Sequence, residues 1–257
     1  MSSALQSLQI GQRLRAAVIH LLLSAAVAAL AALLVFAVWY PMPYRQISGG
    51  RDLFLLVVAV DVAIGPLITL AVFDRRKPRA ELVRDMAVVA AMQLAALAYG
   101  LHTVAQARPA VVALEVDRLR VVRAIDLAAA DFSAAPPALA QLSWWGPRLL
   151  ATRTPDASEK LDAIDHGLAG EDVGMRPKFW LPPEQTGPAM ARAAKPFGPL
   201  LKRQPARAAE LQAAIAATGR PADQVGYLPL LARQSDWSAL VDRLSGEVLG
   251  YVPVDGF

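Results

Sequence analysis

The chain has 257 residues, 55% of them hydrophobic, with a formal net charge of +4 and no cysteine, which rules out disulfides, thiolate nucleophiles and cysteine-based zinc sites. The basic surplus lies entirely in residues 1–104. From residue 105 onward 17 Lys and Arg balance 17 Asp and Glu, so the polar part lacks the net basic charge of a nucleic-acid-binding surface.

Three apolar stretches follow one another in residues 16–40, 53–73 and 86–104. Each approaches or exceeds the ~20 residues an α-helix needs to cross ~30 Å of hydrocarbon. None is interrupted by the recurring polar face of a soluble helix. The mean hydropathy of +0.37 fits a chain whose first two-fifths sits in lipid and whose remainder is aqueous. Residues 1–104 are therefore predicted to form three transmembrane helices, and residues 105–257 a separate polar domain. The first stretch is longer than the ~7–15 residues of a signal-peptide core and ends in bulky Val38-Trp39-Tyr40-Pro41, so it reads as a retained span.

Basic residues near span ends mark the cytoplasmic side. Arg13 and Arg15 precede the first span, and Arg75, Arg76, Lys77, Arg79 and Arg84 fill the loop after the second, whereas only Arg45 and Arg51 occupy the loop after the first. The N-terminus is thus expected in the cytoplasm and the polar domain across the membrane, in the periplasm of a Gram-negative host. Trp39 and Tyr40 are expected at the outer interface, where amphipathic rings anchor.

Within the spans, Asp61 lies about 12 Å from the outer edge, where a lone carboxylate costs roughly 2.5–3.5 kcal/mol. It is either a proton or ligand site, or interhelical glue. Depth favours Tyr99 as its partner, with Gln93 second and His20 disfavoured. Gly65-Pro66 predicts a kink beside it, because Pro66 removes a backbone donor and crowds the Val62 carbonyl. Ser24, Ala28 and Ala32 place small residues at every fourth position of the first span. Such a ridge either docks a partner's membrane helix or packs the protein's own helices.

In the polar domain, strands are predicted at 111–116, 119–123, 227–233, 237–242 and 247–253, with helices near 156–167 and 206–218. In the last strand Val248, Gly250 and Val252 should face one way, and Leu249 and Tyr251 the other. Residues 134–205, rich in proline and glycine, read as a loop-rich insertion. The fold class is a membrane protein with three transmembrane α-helices and a small α+β domain built on an antiparallel sheet.

No catalytic, metal or cofactor constellation emerges from the residues. Asp162, Asp165 and His166, with Ser158 before them, read as a solvated helix face rather than a triad. Trp144 and Trp145 are either an exposed binding platform or aromatics buried against the core or the membrane face.

Three segments carry a resemblance. The first runs Trp39-Tyr40-Pro41-Met42-Pro43-Tyr44, Ile47-Ser48-Gly49-Gly50, then 53–73 with Asp61 and Gly65-Pro66. The second is Gln93–Gly100, continuing through Gln106-Ala107-Arg108-Pro109 to Glu115-Val116-Asp117-Arg118. The third is Asp236-Trp237, Val241-Asp242-Arg243 and Gly246–Tyr251. Together they resemble the type IV pilin accessory proteins of the TfpX/TfpZ group over nearly the full chain. The resemblance implies an inner-membrane protein that assists assembly of a type IV pilin, with the pilin, the pilus assembly machinery and the lipid bilayer as partners. It implies no catalytic residues and no cofactor. Pilins in that setting hold a hydrophobic helix in lipid and a globular head outside it, so a pilin-specific chaperone or assembly modulator is expected. The alternatives are a pilin-modifying membrane enzyme and a membrane-anchored sensor.

Overall fold

The structure, a computed structural model, describes residues 2–233 and 237–257, with side chains from Gln9 onward. Asp236 of the third resembling segment lies outside the described residues. Among those described, three helices are long and apolar enough to cross a membrane, at Gln9–Trp39, Gly50–Val72 and Arg79–Gln106. The protein is therefore membrane-associated. The first begins as α1 (Ser2–Leu33) and ends in a π-helical stretch, Leu34–Trp39. A short α2 (Tyr44–Ile47) precedes α3 (Gly50–Val72) and α4 (Arg79–Gln106).

The chain separates into two compact units. The helical unit runs to Val38 and resumes at Gly50–Gln106; the sheet unit comprises Trp39–Gly49 and Ala107–Phe257. The loop between the first two membrane helices thus belongs to the sheet unit. Tyr40 and Ile47 are completely buried, and Tyr44 and Trp39 nearly so. The expectation that Trp39 and Tyr40 anchor in the lipid interface is corrected accordingly: their rings pack in protein. Trp39 lies 6.4 Å from the Trp144 ring, and burial pushes the Tyr40 hydroxyl well above its ordinary range.

The sheet contains β1 (Pro109–Glu115), β2 (Arg118–Arg123), β3 (Arg148–Ala151), β4 (Lys195–Pro196), β5 (Val225–Leu231), β6 (Trp237–Asp242) and β7 (Val248–Val252). Its order is β3-β1-β2-β5-β6-β7, with β4 beside β5. Besides α2, the helices α5 (Lys160–Leu168), α6 (Thr186–Ala193), α7 (Phe197–Arg203) and α8 (Ala208–Ala217) accompany it.

The α+β architecture is as expected, but the sheet is mixed rather than antiparallel. The local hairpins β1–β2, β5–β6 and β6–β7 are antiparallel, while β1–β3 and β2–β5 are parallel. Parallel neighbours need long crossovers, and the segments between β2 and β3 and between β2 and β5 supply them. Residues 134–205 are also more ordered than a loop-rich insertion, since β3, α5, α6, β4 and α7 all lie within them. In β7 the simple alternation fails. Val248 and Tyr251 pack toward one cluster and Leu249 and Val252 toward another, because the β6–β7 register shifts between Leu240 and Val241.

Both sheet faces are covered, so β1 is buried along its whole length. Val112 and Leu114 face a cluster with Leu119, Leu228, Leu230 and Met190, while Val111 and Ala113 face Val122, Leu150 and Trp180. Tyr44 and Ile47 belong to the first of these clusters. The Tyr44 ring meets Tyr251 edge-on at 5.9 Å and the two hydroxyls share a 2.7 Å hydrogen bond. This loop is a structural part of the sheet unit's core. Tyr44→Ala should therefore cost about 3–5 kcal/mol and Tyr44→Phe only about 1 kcal/mol, as read from tryptophan-monitored urea unfolding of the purified full chain.

Candidate functional site

In the helical unit the sequence-selected residues are arranged around Gln93. Its Nε2 donates to the Asp61 backbone carbonyl at 3.1 Å, and its Oε1 accepts from His20 Nε2. Because an amide oxygen only accepts, this fixes the proton of a neutral His20 on Nε2. The Thr69 hydroxyl then donates to Nδ1, at 2.5 Å. No bond joins His20 directly to Asp61 among the described residues, as depth led one to expect; the Gln93 amide spans the distance between His20 and the Asp61 backbone carbonyl. The pairing of Asp61 with Tyr99 is corrected: Tyr99 is 75% exposed on the outer face of α4. Depth matched those two residues, but the helical face did not. Asp61 Oδ2 is enclosed and accepts no hydrogen bond among the described residues.

Gly65 has a packing role beside Pro66. A β-carbon there would collide with the Gln93 amide, and one at Gly100 would collide with the branched side chain of Val57. Small residues let α3 and α4 approach closely. Pro66 lies inside the assigned helix, which continues to Val72. Of the small-residue ridge, Ser24 and Ala28 line a pocket of about 240 Å³ with Asp61 and Gln93, and Ala32 is half-buried. The ridge faces the protein's own helices.

In the sheet unit Trp144 and Trp145 are 62% and 77% exposed, so neither ring is buried in the core. The Arg108 guanidinium stacks 4.8 Å above the Trp144 ring, and Arg108 Nη2 donates to the Ser143 carbonyl at 3.2 Å. The Ser143 hydroxyl in turn accepts from the Trp145 amide at 3.0 Å. The loop is thus braced from beneath while its indoles face out.

The surface that the sequence reading missed is α5. Leu161, Ile164 and Leu168 form one apolar stripe at helical spacing, and they are 76%, 57% and 84% exposed. The helix is docked by its charged side instead. Asp162 accepts from Arg176 at 2.7 Å and Lys178 at 2.9 Å, and Glu159, just before the helix, accepts two bonds from Arg153 at 2.6 and 2.8 Å. These three cations lie about the buried Phe179 ring, at 4.9 Å for Arg153, 5.4 Å for Arg176 and 5.0 Å for Lys178. His166 joins Glu171 at 2.6 Å and Asp162 at 3.3 Å. Ser158 bonds Asp156 rather than His166. Asp162 anchors the helix, whereas Asp165 and Ser158 are exposed as expected of a solvated face. The spacing of Leu161, Ile164 and Leu168 was the available signal, and an amphipathic pattern alone does not say which face turns inward.

Hydrogen bonds from Lys178 and Arg176 hold the Asp162 carboxyl down at about 2, and bonds from Arg153 and the Asp156 amide hold Glu159 at about 2. Both carboxyls titrate lower folded than unfolded, so their contribution is complete above their ordinary values near 4 and is lost as pH falls through about 2. Amide exchange, corrected for intrinsic rate, should show α5 protection constant from pH 7 to about 5 and declining from there toward pH 2. Asp162→Asn should lower that protection already at pH 7.

The family described as "Fimbrial assembly protein FimB" matches residues 8–49. The chain is 32% identical to "Fimbrial assembly protein, serogroup I" of Dichelobacter nodosus over 242 residues, covering 93% of this chain and 94% of that one. It is 30% identical to the serogroup E1 protein of the same organism over the same shares of both chains. With the protein of serogroups C1 and C2 it shares 41% identity over 109 residues, 42% of this chain and 83% of that one. No solved structure matches it significantly. The identity to two full-length relatives, together with the membrane helices, shows that the chain belongs to the fimbrial assembly proteins and that its role lies in pilus assembly.

Proposed function

We propose that the protein is a pilin-binding chaperone of the bacterial inner membrane, acting by non-covalent contact and not as an enzyme. Its N-terminus and the basic loop between α3 and α4 lie in the cytoplasm, and its sheet unit in the periplasm. The observation that carries this reading is the outward apolar stripe of α5. Burying three such side chains offers several kcal/mol of association free energy, and monomeric soluble surfaces rarely leave such a patch uncovered. A pilin subunit held in the same bilayer is the partner the family's role supplies. Its hydrophobic helix and its head would meet one scaffold, so two weak contacts reinforce each other through effective concentration.

The orientation is supported by where the cations fall. Arg13 pairs with Asp74 at 3.1 Å, so the start of the first membrane helix and the loop after α3 share one basic end of the helical unit. The non-catalytic reading is supported by the engagement of Asp162 in ion pairs with Arg176 and Lys178 and of Ser158 with Asp156.

The triple variant Leu161→Ser, Ile164→Ser, Leu168→Ser in the full chain should reduce photo-crosslinking to pilin at least tenfold and reduce surface piliation, at unchanged protein level. Unaltered crosslinking would contradict a client site at α5. The intact mass of pilin should be identical with and without the gene. A mass difference would instead establish a modifying activity.

A further inference from the structure

A second groove opens at the basic end of the helical unit, adjoining the smaller pocket through His20 and Leu23. It has a volume of about 690 Å³ and lies between α1, the end of α3 and α4. Its mouth carries Arg15 and Arg75, and its walls are Ile19, Leu82, Met86 and Val89. Charge pairing distinguishes these two arginines from their neighbours. Arg13 is bound to Asp74 at 3.1 Å, and Lys77 to Asp85 at 2.7 Å and Glu81 at 3.7 Å. Arg15 and Arg75 have no carboxylate within ion-pair distance among the described residues, and residues 2–8 contain no acid. Two exposed guanidinium groups lie at the helix ends, beside a mostly apolar trough in which the polar His20 and Thr69 are already hydrogen-bonded, and they reproduce the order of an anionic amphiphile: charge first, hydrocarbon beneath.

We propose that this groove is a binding site for one anionic phospholipid. Arg15 and Arg75 hold its phosphate, for which the planar guanidinium fork is suited, and an acyl chain lies along Ile19, Leu82 and Met86. Two arginines beside an anionic headgroup favour it over a zwitterionic one by about thirtyfold. A peptide segment is a poorer fit, because it would have to place a fixed anion at the helix ends while burying an unbranched apolar stretch below.

The test uses the intact protein in nanodiscs containing equal phosphatidylglycerol and phosphatidylethanolamine with identical chains, released into native mass spectrometry. One phosphatidylglycerol should stay bound at least tenfold in preference to phosphatidylethanolamine. Arg15→Gln with Arg75→Gln should abolish that preference, whereas Arg79→Gln with Arg84→Gln, which remove equal charge outside the groove, should preserve it. Wild-type protein exposed to phosphatidylglycerol carrying a photoreactive acyl chain should be labelled in peptides containing Ile19 and Leu82–Met86. The proposal is overturned by equal retention of both lipids, by equal loss in the two variants, by labelling confined to other peptides, or by displacement of the lipid with inorganic phosphate alone.

Discussion

The fold depends on one insertion: the loop leaving the first membrane helix supplies Tyr44 and Ile47 to the core of the sheet unit. The chain enters that same unit a second time at Ala107, after α3 and α4. Two membrane-length helices lie between these entries, and an even number of crossings returns the chain to its starting side. The parity required by the packing is therefore the parity that three spans provide. Burial of the loop alone requires this parity, wherever the basic residues lie. It also explains why Trp39-Tyr40-Pro41-Met42-Pro43-Tyr44 is so aromatic. Tyr40, Tyr44 and Trp39 fill protein volume, and the Tyr44–Tyr251 hydroxyl pair ties the loop to the last strand.

The second organising feature is the inverted docking of α5. Most surface helices bury their apolar stripe and leave charge outside. Here Phe179 gathers Arg153, Arg176 and Lys178, and those cations seize the carboxylates of Glu159 and Asp162. Partly exposed ion pairs of this kind contribute little individually, but their convergence fixes which face of a nine-residue helix looks out. Stability and display are thus coupled, since the same ion pairs that hold α5 also present Leu161, Ile164 and Leu168. The Trp144-Trp145 loop is a second display, braced by Arg108 and Ser143.

What the sequence revealed and what it hid divide along physical lines. The three membrane helices were legible because apolar run length is a local property, and so were the hairpins β1–β2 and β6–β7. The parallel seams were not, because they join residues separated by long connections. The proline-rich centre misled for another reason. Pro188 and Pro199 are each the third residue of a helix, α6 and α7, where a missing amide costs nothing because the first turn has no acceptor for it. Counted as breakers, they concealed two helices. In the membrane, depth alone chose Tyr99 for Asp61, whereas the rotation of α4 turned Gln93 inward and Tyr99 outward. For α5, periodicity located the stripe but could not orient it, since the deciding cations lie 14 and 16 residues away from Asp162.

The most direct test of the central claim exploits the absence of native cysteine. Single cysteines at exposed Met42, Leu244 and Arg76 would be labelled with a membrane-impermeant maleimide in spheroplasts and in inverted vesicles. Met42→Cys and Leu244→Cys should react from the same side and Arg76→Cys from the other, because the first two belong to one folded unit. Labelling of Met42→Cys and Leu244→Cys from opposite sides would contradict the shared core, and with it the account of how this chain crosses the membrane.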